Sequence, residues 1–463
     1  MSGLFKTYDI RGLYPQELNE ENAYFIAKSF LQYANENFNA ETFFVGHDAR
    51  ISSPNIHTSI IKGLLDSGAS INDIGLTTTP LLNFCVAHYN EKAGIMVTAS
   101  HNPKEYNGIK LIGPNALQLH YEKGLKSIEI LFNQKIFDFK LFKKEEIRKQ
   151  HEVALNDYIN HLLKFSESRN FRRTFAVDFM NGCGSITALP FFERLKIKAS
   201  ILNEIPDGNF PKHQPDPTKK ENLEELKNEI INKKLDFGVA FDGDADRIVI
   251  LDEKGNIISS DILFGLLCSS ELEKSSDKTV YVDPRFSRGV IEELNARGAN
   301  ITTLRVGNPF YKEALYNDDS SLMAGEFSGH IMFKENYGID DGLFSFLKFL
   351  NIINNTERPV SEIFKPFQKY ARSEEINLRV NSMDNILLEL EDFYSDAKVS
   401  KIDGLKIIHD DWWAIIRKSN TEPLLRVIIE ANDNVLLQKK QEELINKINL
   451  LDKRTSEKTK SKN

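Results

Sequence analysis

The chain has 463 residues, 41% of them hydrophobic, and a formal net charge of −8. That length exceeds one compact core and points to three or four domains, while the acidic balance excludes a general nucleic-acid or membrane-surface binder without forbidding a local basic pocket. No run nears the roughly 18 to 20 apolar residues that cross a bilayer, and Met1-Ser2-Gly3 leads into folded-looking sequence without a basic-then-apolar leader, so a soluble cytoplasmic protein is expected.

In chain order, the first predicted strand is Thr42 to Val45, followed by a polar loop, Gly46-His-Asp-Ala-Arg50. A helix comes next, with Ser53 as N-cap, Pro54 at its first position, an apolar face from Ile56 to Leu65, and Gly68 to end it. A strand near 70–75 closes the unit. Ala93 to Val97 reads as a buried strand, so Thr98 to Pro103 is the loop beyond its end. The strand–loop–helix–strand grammar recurs from Thr174 to Leu202 and from Thr279 to Val306. Three such units predict three related α/β domains with helix-covered sheets. From about Tyr370 the runs near 375–380, 406–409, 412–417 and 424–431 read as antiparallel strands of an α+β domain. Polar or Pro-bearing linkers near 150–155, 251–256 and 357–368 divide the chain into 1–150, 151–255, 256–366 and 367–453, with a solvated, Lys-rich flexible tail over 454–463. Cys85, Cys183 and Cys268 are odd in number and set in apolar surroundings, which predicts buried free thiols.

Four polar stretches carry candidate chemistry. Ser100, in Thr98-Ala-Ser-His-Asn-Pro103, stands at a strand's carboxyl end, where α/β folds place ligands, although a turn with Ser100 or Asn102 capping backbone amides reads equally well. No Gly-x-Ser-x-Gly elbow is present, so a protease-like serine fits poorly. Asp242, Asp244 and Asp246 alternate in a tight loop between apolar strands, a pattern that converges oxygens on a hard divalent cation. An EF-hand is excluded because Arg247 stands where glycine is required and the flanks are strands. Asp242 as a phosphatase nucleophile is a rival reading that leaves Ser100 unexplained. Gly325-Glu-Phe-Ser-Gly-His330 offers a carboxylate and a hydroxyl for sugar hydroxyls, and Arg417 to Glu422 with Arg426 offers a phosphate cradle; each alone also reads as a plain turn.

Together these stretches, with Tyr8-Asp-Ile-Arg-Gly12, Tyr106-Asn-Gly108 and Lys110, resemble the α-D-phosphohexomutase superfamily, most closely its bacterial phosphomannomutase/phosphoglucomutase branch, along essentially the whole chain. The resemblance implies four domains in a heart shape, one loop from each lining a central cleft. It implies a phosphoryl group on Ser100 and Mg²⁺ held by Asp242, Asp244, Asp246 and a phosphoserine oxygen. Lys110 is then general acid/base, its pKa lowered by Arg11, Arg247 and the metal, with His101 and Arg11 near the phosphoserine and Arg247 on the reacting group. Glu326 and Ser328 hold sugar hydroxyls, with Tyr8 and His330 also at the substrate; Arg417, Ser419, Asn420, Thr421 and Arg426 hold the distal phosphate. The implied reaction interconverts hexose 1-phosphate and hexose 6-phosphate, with mannose and glucose favoured, through a hexose 1,6-bisphosphate that also serves as activator. The implied partners are phosphohexoses alone, with neither nucleic acid nor membrane, and a monomer or weak dimer is expected. A hinge near 361–368 would let the last domain open.

Two positions depart from the pattern: Asn308 stands where a histidine is common, and Arg285 where a lysine is common, which bears on sugar preference. Ala245, where glycine is common, is expected to be tolerated. A metal-dependent sugar phosphatase, and a noncatalytic sugar-phosphate or Ca²⁺ binder, remain the alternatives.

Overall fold

Three of the four sheets are variations on one arrangement. The computed structural model describes residues 3–139, 146–418 and 424–460. The first sheet contains β1 (Ile10–Leu13), β2 (Thr42–His47), β3 (Ser70–Leu76), β4 (Ala93–Val97), β5 (Tyr106–Ile112) and β6 (Ile147–Lys149), in the order β1-β5-β4-β2-β3-β6. Helices α1 (Glu20–Phe38), α2 (Ser53–Leu65), α3 (Thr79–His88) and α4 (Leu125–Gln134) accompany it. After α5 (His151–Leu163), the second sheet uses β7 (Phe175–Asp178), β8 (Ser200–Leu202), β9 (Phe237–Phe241), β10 (Ile248–Leu251) and β11 (Ile257–Ile258), with α6 (Gly184–Leu195) and α7 (Glu224–Lys233). The third uses β12 (Thr279–Val282), β13 (Asn300–Thr303), β14 (Ser321–Gly325) and β15 (Ile331–Phe333), among α8 (Ser260–Lys274), α9 (Arg288–Ala296), α10 (Asn308–Asn317), α11 (Gly342–Asn354) and α12 (Val360–Ile363).

In each of these sheets a central strand (β2, β7, β12) is parallel to both its neighbours, one of which (β4, β9, β14) turns back into an antiparallel partner (β5, β10, β15). The parallel strands are continuous apolar runs because helices cover both sheet faces; β4 and β9 are buried at every position. The hairpin connections β4–β5, β9–β10 and β14–β15 therefore leave the carboxyl ends of parallel strands, and they are the Ser100, Asp242 and Glu326 loops.

The fourth sheet is antiparallel throughout: β16 (Ala371–Arg372), β17 (Ile376–Arg379), β18 (Lys398–Ser400), β19 (Leu405–Ile408), β20 (Trp412–Lys418) and β21 (Leu424–Ala431), with α13 (Met383–Phe393) and α14 (Asn434–Lys460). The four-domain architecture thus has three mixed α/β sheets and an α+β end. Helix α14 continues to Lys460, beyond residue 453, where the sequence reading begins a tail.

Apolar packing divides the molecule differently from the sheets. One continuous cluster runs from Phe44 and Leu82 through Phe175 and Phe241 to Phe264, Phe346 and Phe367, joining the first three domains. The fourth has its own core, including Ile407, Trp412, Val427 and Leu444.

Three local expectations are corrected. Ser53 is the first residue of α2 rather than its cap, its hydroxyl donating to Asp48 Oδ1 at 2.5 Å instead of serving the helix amides, and Ser52 before it makes no side-chain cap either. Residues 151–155 are helical, not a linker. The proposed hinge at 361–368 is anchored: Ser361 Oγ donates to Glu253 at 2.5 Å, and Phe364 and Phe367 are buried in the shared core. The three cysteines are buried and unpaired, and among the described residues no helix is long and apolar enough to cross a membrane.

Candidate active site

The Ser100 and Asp242 loops meet. Ser100 is nearly buried and sits in left-handed backbone, φ +49°. Its Oγ donates to Asp242 Oδ2 at 2.9 Å and receives Arg247 Nη2 at 3.1 Å. The same Nη2 donates to His101 Nδ1 at 2.5 Å. Burial, with Arg247 and Arg11 beside it, holds the His101 imidazole well below its ordinary pKa, so the ring is neutral and that nitrogen can accept. Arg11, on β1, donates to Asn102 Oδ1 at 2.8 Å and steadies the far side of the loop. Gly243 is required by close approach: a Cβ there would lie 2.5 Å from the Ser100 carbonyl oxygen.

Asp242, Asp244 and Asp246 are buried, with one oxygen from each within 4.8 Å of the others. Asp244 Oδ1 and Asp246 Oδ1 have no hydrogen-bond partner among the described residues. Buried carboxylate oxygens left without donors are costly, and these two, converging with an oxygen of Asp242, make a donor set that fits a hard divalent cation. Thr79, at the start of α3, fixes Asp244 by donating its hydroxyl at 2.5 Å to Oδ2 and its amide at 3.1 Å to the Asp244 carbonyl.

Lys110, on β5, points its Nζ between Asp244 and Asp246, 2.7 Å from each. The expected lowering of its pKa, which counted on a bound cation, is opposed by the carboxylates around it. Burial does push the ammonium down, but Asp244, Asp246 and Asp340 outweigh burial and raise it above its ordinary value. Ala245 has φ +61°, which is why glycine suits the position; its carbonyl receives the Gly342 amide at 3.2 Å.

The Glu326 loop adjoins this cluster. The Glu326 amide donates to the His330 carbonyl at 2.9 Å, closing the turn, and His330 Nδ1 lies 2.9 Å from Ser328 Oγ and 3.2 Å from Glu326 Oε2. His330 Nε2 is 3.6 Å from Asp246 Oδ1. Burial opposes the charged imidazole, but Asp246 and Glu326 raise it to about 10. Arg285 is gripped by Asp283 through Nε at 2.8 Å and Nη2 at 2.5 Å, and reaches to 3.9 Å from Glu326. The Asn308 side-chain Nδ2 donates to Asp340 Oδ2 at 2.7 Å, and Lys312 pairs with the other oxygen of that carboxylate at 2.5 Å.

A relay joins the remaining residues across three domains. Tyr8 donates its hydroxyl to the Val306 carbonyl at 2.7 Å, the Val306 amide donates to Asp403 Oδ2 at 3.1 Å, and Arg417 Nη2 meets the same oxygen at 2.8 Å. Arg426 sits opposite Arg417 across the β20–β21 pair, 3.4 Å from Glu375. Ser419, Asn420 and Thr421 lie outside the described residues.

Sequence reasoning missed Arg50, Thr79 and Asp403. A signal for the first was present: Asp48-Ala-Arg50 and Asp283-Pro-Arg285 end equivalent strands with the same spacing.

The chain matches the family described as phosphoglucomutase/phosphomannomutase in all four parts: α/β/α domain I over residues 2–138, domain II over 156–255, domain III over 259–370 and the C-terminal domain over 375–447. It is 34% identical over 459 residues to a phosphomannomutase of Methanocaldococcus jannaschii, covering 97% of this chain and 98% of that one. The structure of a phosphoglucomutase/phosphomannomutase family protein from Burkholderia thailandensis superposes with a TM-score of 0.87 at 25% identity, covering 97% of both chains. The fold is shared with Aspergillus fumigatus N-acetylphosphoglucosamine mutase in complex with GlcNAc-6P and magnesium, at a TM-score of 0.64 and 14% identity over 97% of this chain and 96% of that one.

Proposed function

Because the chain belongs to the phosphoglucomutase/phosphomannomutase family, we propose that it interconverts hexose 1-phosphate and hexose 6-phosphate, of mannose, glucose or both, through a phosphoserine at Ser100 and a hexose 1,6-bisphosphate. The observation that carries this reading is the 2.9 Å contact between Ser100 Oγ and Asp242 Oδ2, which brings a phosphate-carrying oxygen to the edge of the acidic cluster.

Each residue then has a physical task. Asp242, Asp244 and Asp246 would hold Mg²⁺, with an oxygen of the phosphorylated Ser100 as a further ligand. When bound, the cation neutralises phosphoryl charge, which Arg247 and neutral His101 also face. Arg247 is held rigid by donating through Nε and Nη2 to Asp242 at 2.9 and 2.6 Å, so its remaining donors are aimed in advance. Lys110 is assigned to proton traffic at the reacting oxygens from its place beside the cluster. Glu326, Ser328 and His330 take sugar hydroxyls, with Arg285 and Asn308 beside them, Tyr8 at the rim, and Arg417, Ser419, Asn420, Thr421 and Arg426 on the distal phosphate. The bisphosphate presents either end to Ser100, so the distal clamp must stand apart from the serine; it belongs to a domain with its own core, which suits opening between half-reactions.

The test is turnover of mannose 1-phosphate, glucose 1-phosphate and glucosamine 1-phosphate with Mg²⁺ and a trace of glucose 1,6-bisphosphate. Isomerisation of the first two, with one phosphoryl group found on Ser100 by mass spectrometry, supports the reading. Steady release of inorganic phosphate without isomer would replace it with the phosphatase.

A further inference from the structure

The Asp48–Arg50 pair lies outside every motif that named the site, yet it is built into the back of the Ser100 loop. Arg50 is only 1% exposed, among the most completely buried large side chains in the molecule. A guanidinium has five N–H donors, and all five are used. Nε donates to Asp48 Oδ2 at 3.1 Å; Nη1 donates to the carbonyls of Pro103 at 2.8 Å and Tyr106 at 3.0 Å; Nη2 donates to those of Ser100 and Asn102 at 2.7 Å each. Asp48 is fixed in turn by the Arg50 amide at 3.0 Å and the Ser53 hydroxyl at 2.5 Å. The ring of Phe210, from the second domain, lies 5.4 Å from the guanidinium carbon.

We propose that Arg50 is a positioning residue for phosphoryl transfer: its planar fork gathers four carbonyls of the Ser100 loop and pins the Ser100 carbonyl against Gly243 of the acidic loop. The proposal rests on the mutase reading above. Ser100 is in left-handed backbone, a conformation an L-residue leaves unless its surroundings impose it. Arg50 imposes it from one side and the acidic loop from the other. A phosphoryl group that leaves Ser100 and returns to it within one cycle needs the same oxygen in the same place twice. Lysine keeps the charge but presents a single point with three donors, which cannot span four carbonyls.

Arg50→Lys is therefore compared with wild type in full-length protein, with Mg²⁺ and glucose 1,6-bisphosphate present. Expected are a kcat lower by about 10²-fold with KM within about threefold, and faster amide hydrogen exchange over residues 98–107. Added guanidinium should restore part of the turnover of Arg50→Ala. A kcat within about threefold of wild type, or unchanged exchange over 98–107, overturns the proposal. Should Arg50→Lys lose its cooperative melt, Asp48→Asn decides in its place, because it keeps the guanidinium and loosens only its anchor. The same kcat-selective loss with faster exchange supports the clamp, and the absence of either overturns it. Wild-type turnover tests the mutase reading separately, while amide exchange tests the clamp whatever reaction the enzyme performs.

Discussion

The first and third domains place the same three-residue device after the same strand and use it for different ends. Asp48 and Asp283 each accept the amide of the arginine two residues on, at 3.0 and 2.9 Å, and each also holds that arginine's Nε. In the first domain the other four guanidinium donors are all spent on neighbouring backbone. In the third, Arg285 is left 3.9 Å from Glu326, with the Phe327 ring 5.1 Å away, on the loop equivalent to the one Arg50 gathers. An inherited local contact therefore says where a guanidinium goes but not what it does there. Whether it becomes scaffold or part of a binding surface depends on how many acceptors the neighbouring loop turns inward.

Perturbing the two loops should separate chemistry from binding. The largest effect is expected from Ser100→Ala, which removes the proposed phosphate carrier and should lower mutase turnover at least about 10³-fold in a coupled assay. A residual rate above a tenth of wild type would mean that the first-domain loop is not the chemical one. Removing divalent metal by chelation should come next, with turnover down about 10²-fold or more and regained on adding Mg²⁺. Mg²⁺ should also raise the thermal midpoint of wild type and not of Asp244→Asn, since a ligand that binds only the folded state stabilises it. Arg285→Lys should raise KM about tenfold with kcat within about threefold, and should alter the ratio of mannose 1-phosphate to glucose 1-phosphate turnover. A kcat-dominated loss there would make the two arginines equivalent after all. The smallest effect belongs to the second domain, where Ala245→Gly should relieve left-handed strain at the cost of a freer unfolded chain, a net gain of about 0.5 kcal/mol read by urea denaturation.

The loops that meet at the candidate site were legible because their signals are local. Alternating carboxylates in Asp242 to Asp246, and a hydroxyl just past the apolar run Ala93 to Val97, announce themselves within a few residues. Their supports were not. Arg50 reaches acceptors some fifty positions onward, and Thr79 steadies Asp244 from another domain, so neither has a meaning until the sheets bring those segments together. The Lys110 ammonium is a related case: the sequence shows which charges exist, but only the fold decides that Asp244 and Asp246 stand nearest it. Even Ser53 does not cap its helix, because Asp48, on the preceding loop, takes the hydroxyl that helix rules assign to capping.

The Asp403 carboxylate has a consequence of its own. On the proposed reading, a phosphate reaching Arg417 would find that guanidinium already matched by an anion that also holds the Val306 amide; the Val306 carbonyl in turn takes the Tyr8 hydroxyl. Any such dianion would have to share or displace this resident partner, and displacement would also take the Asp403 acceptor away from the Val306 amide.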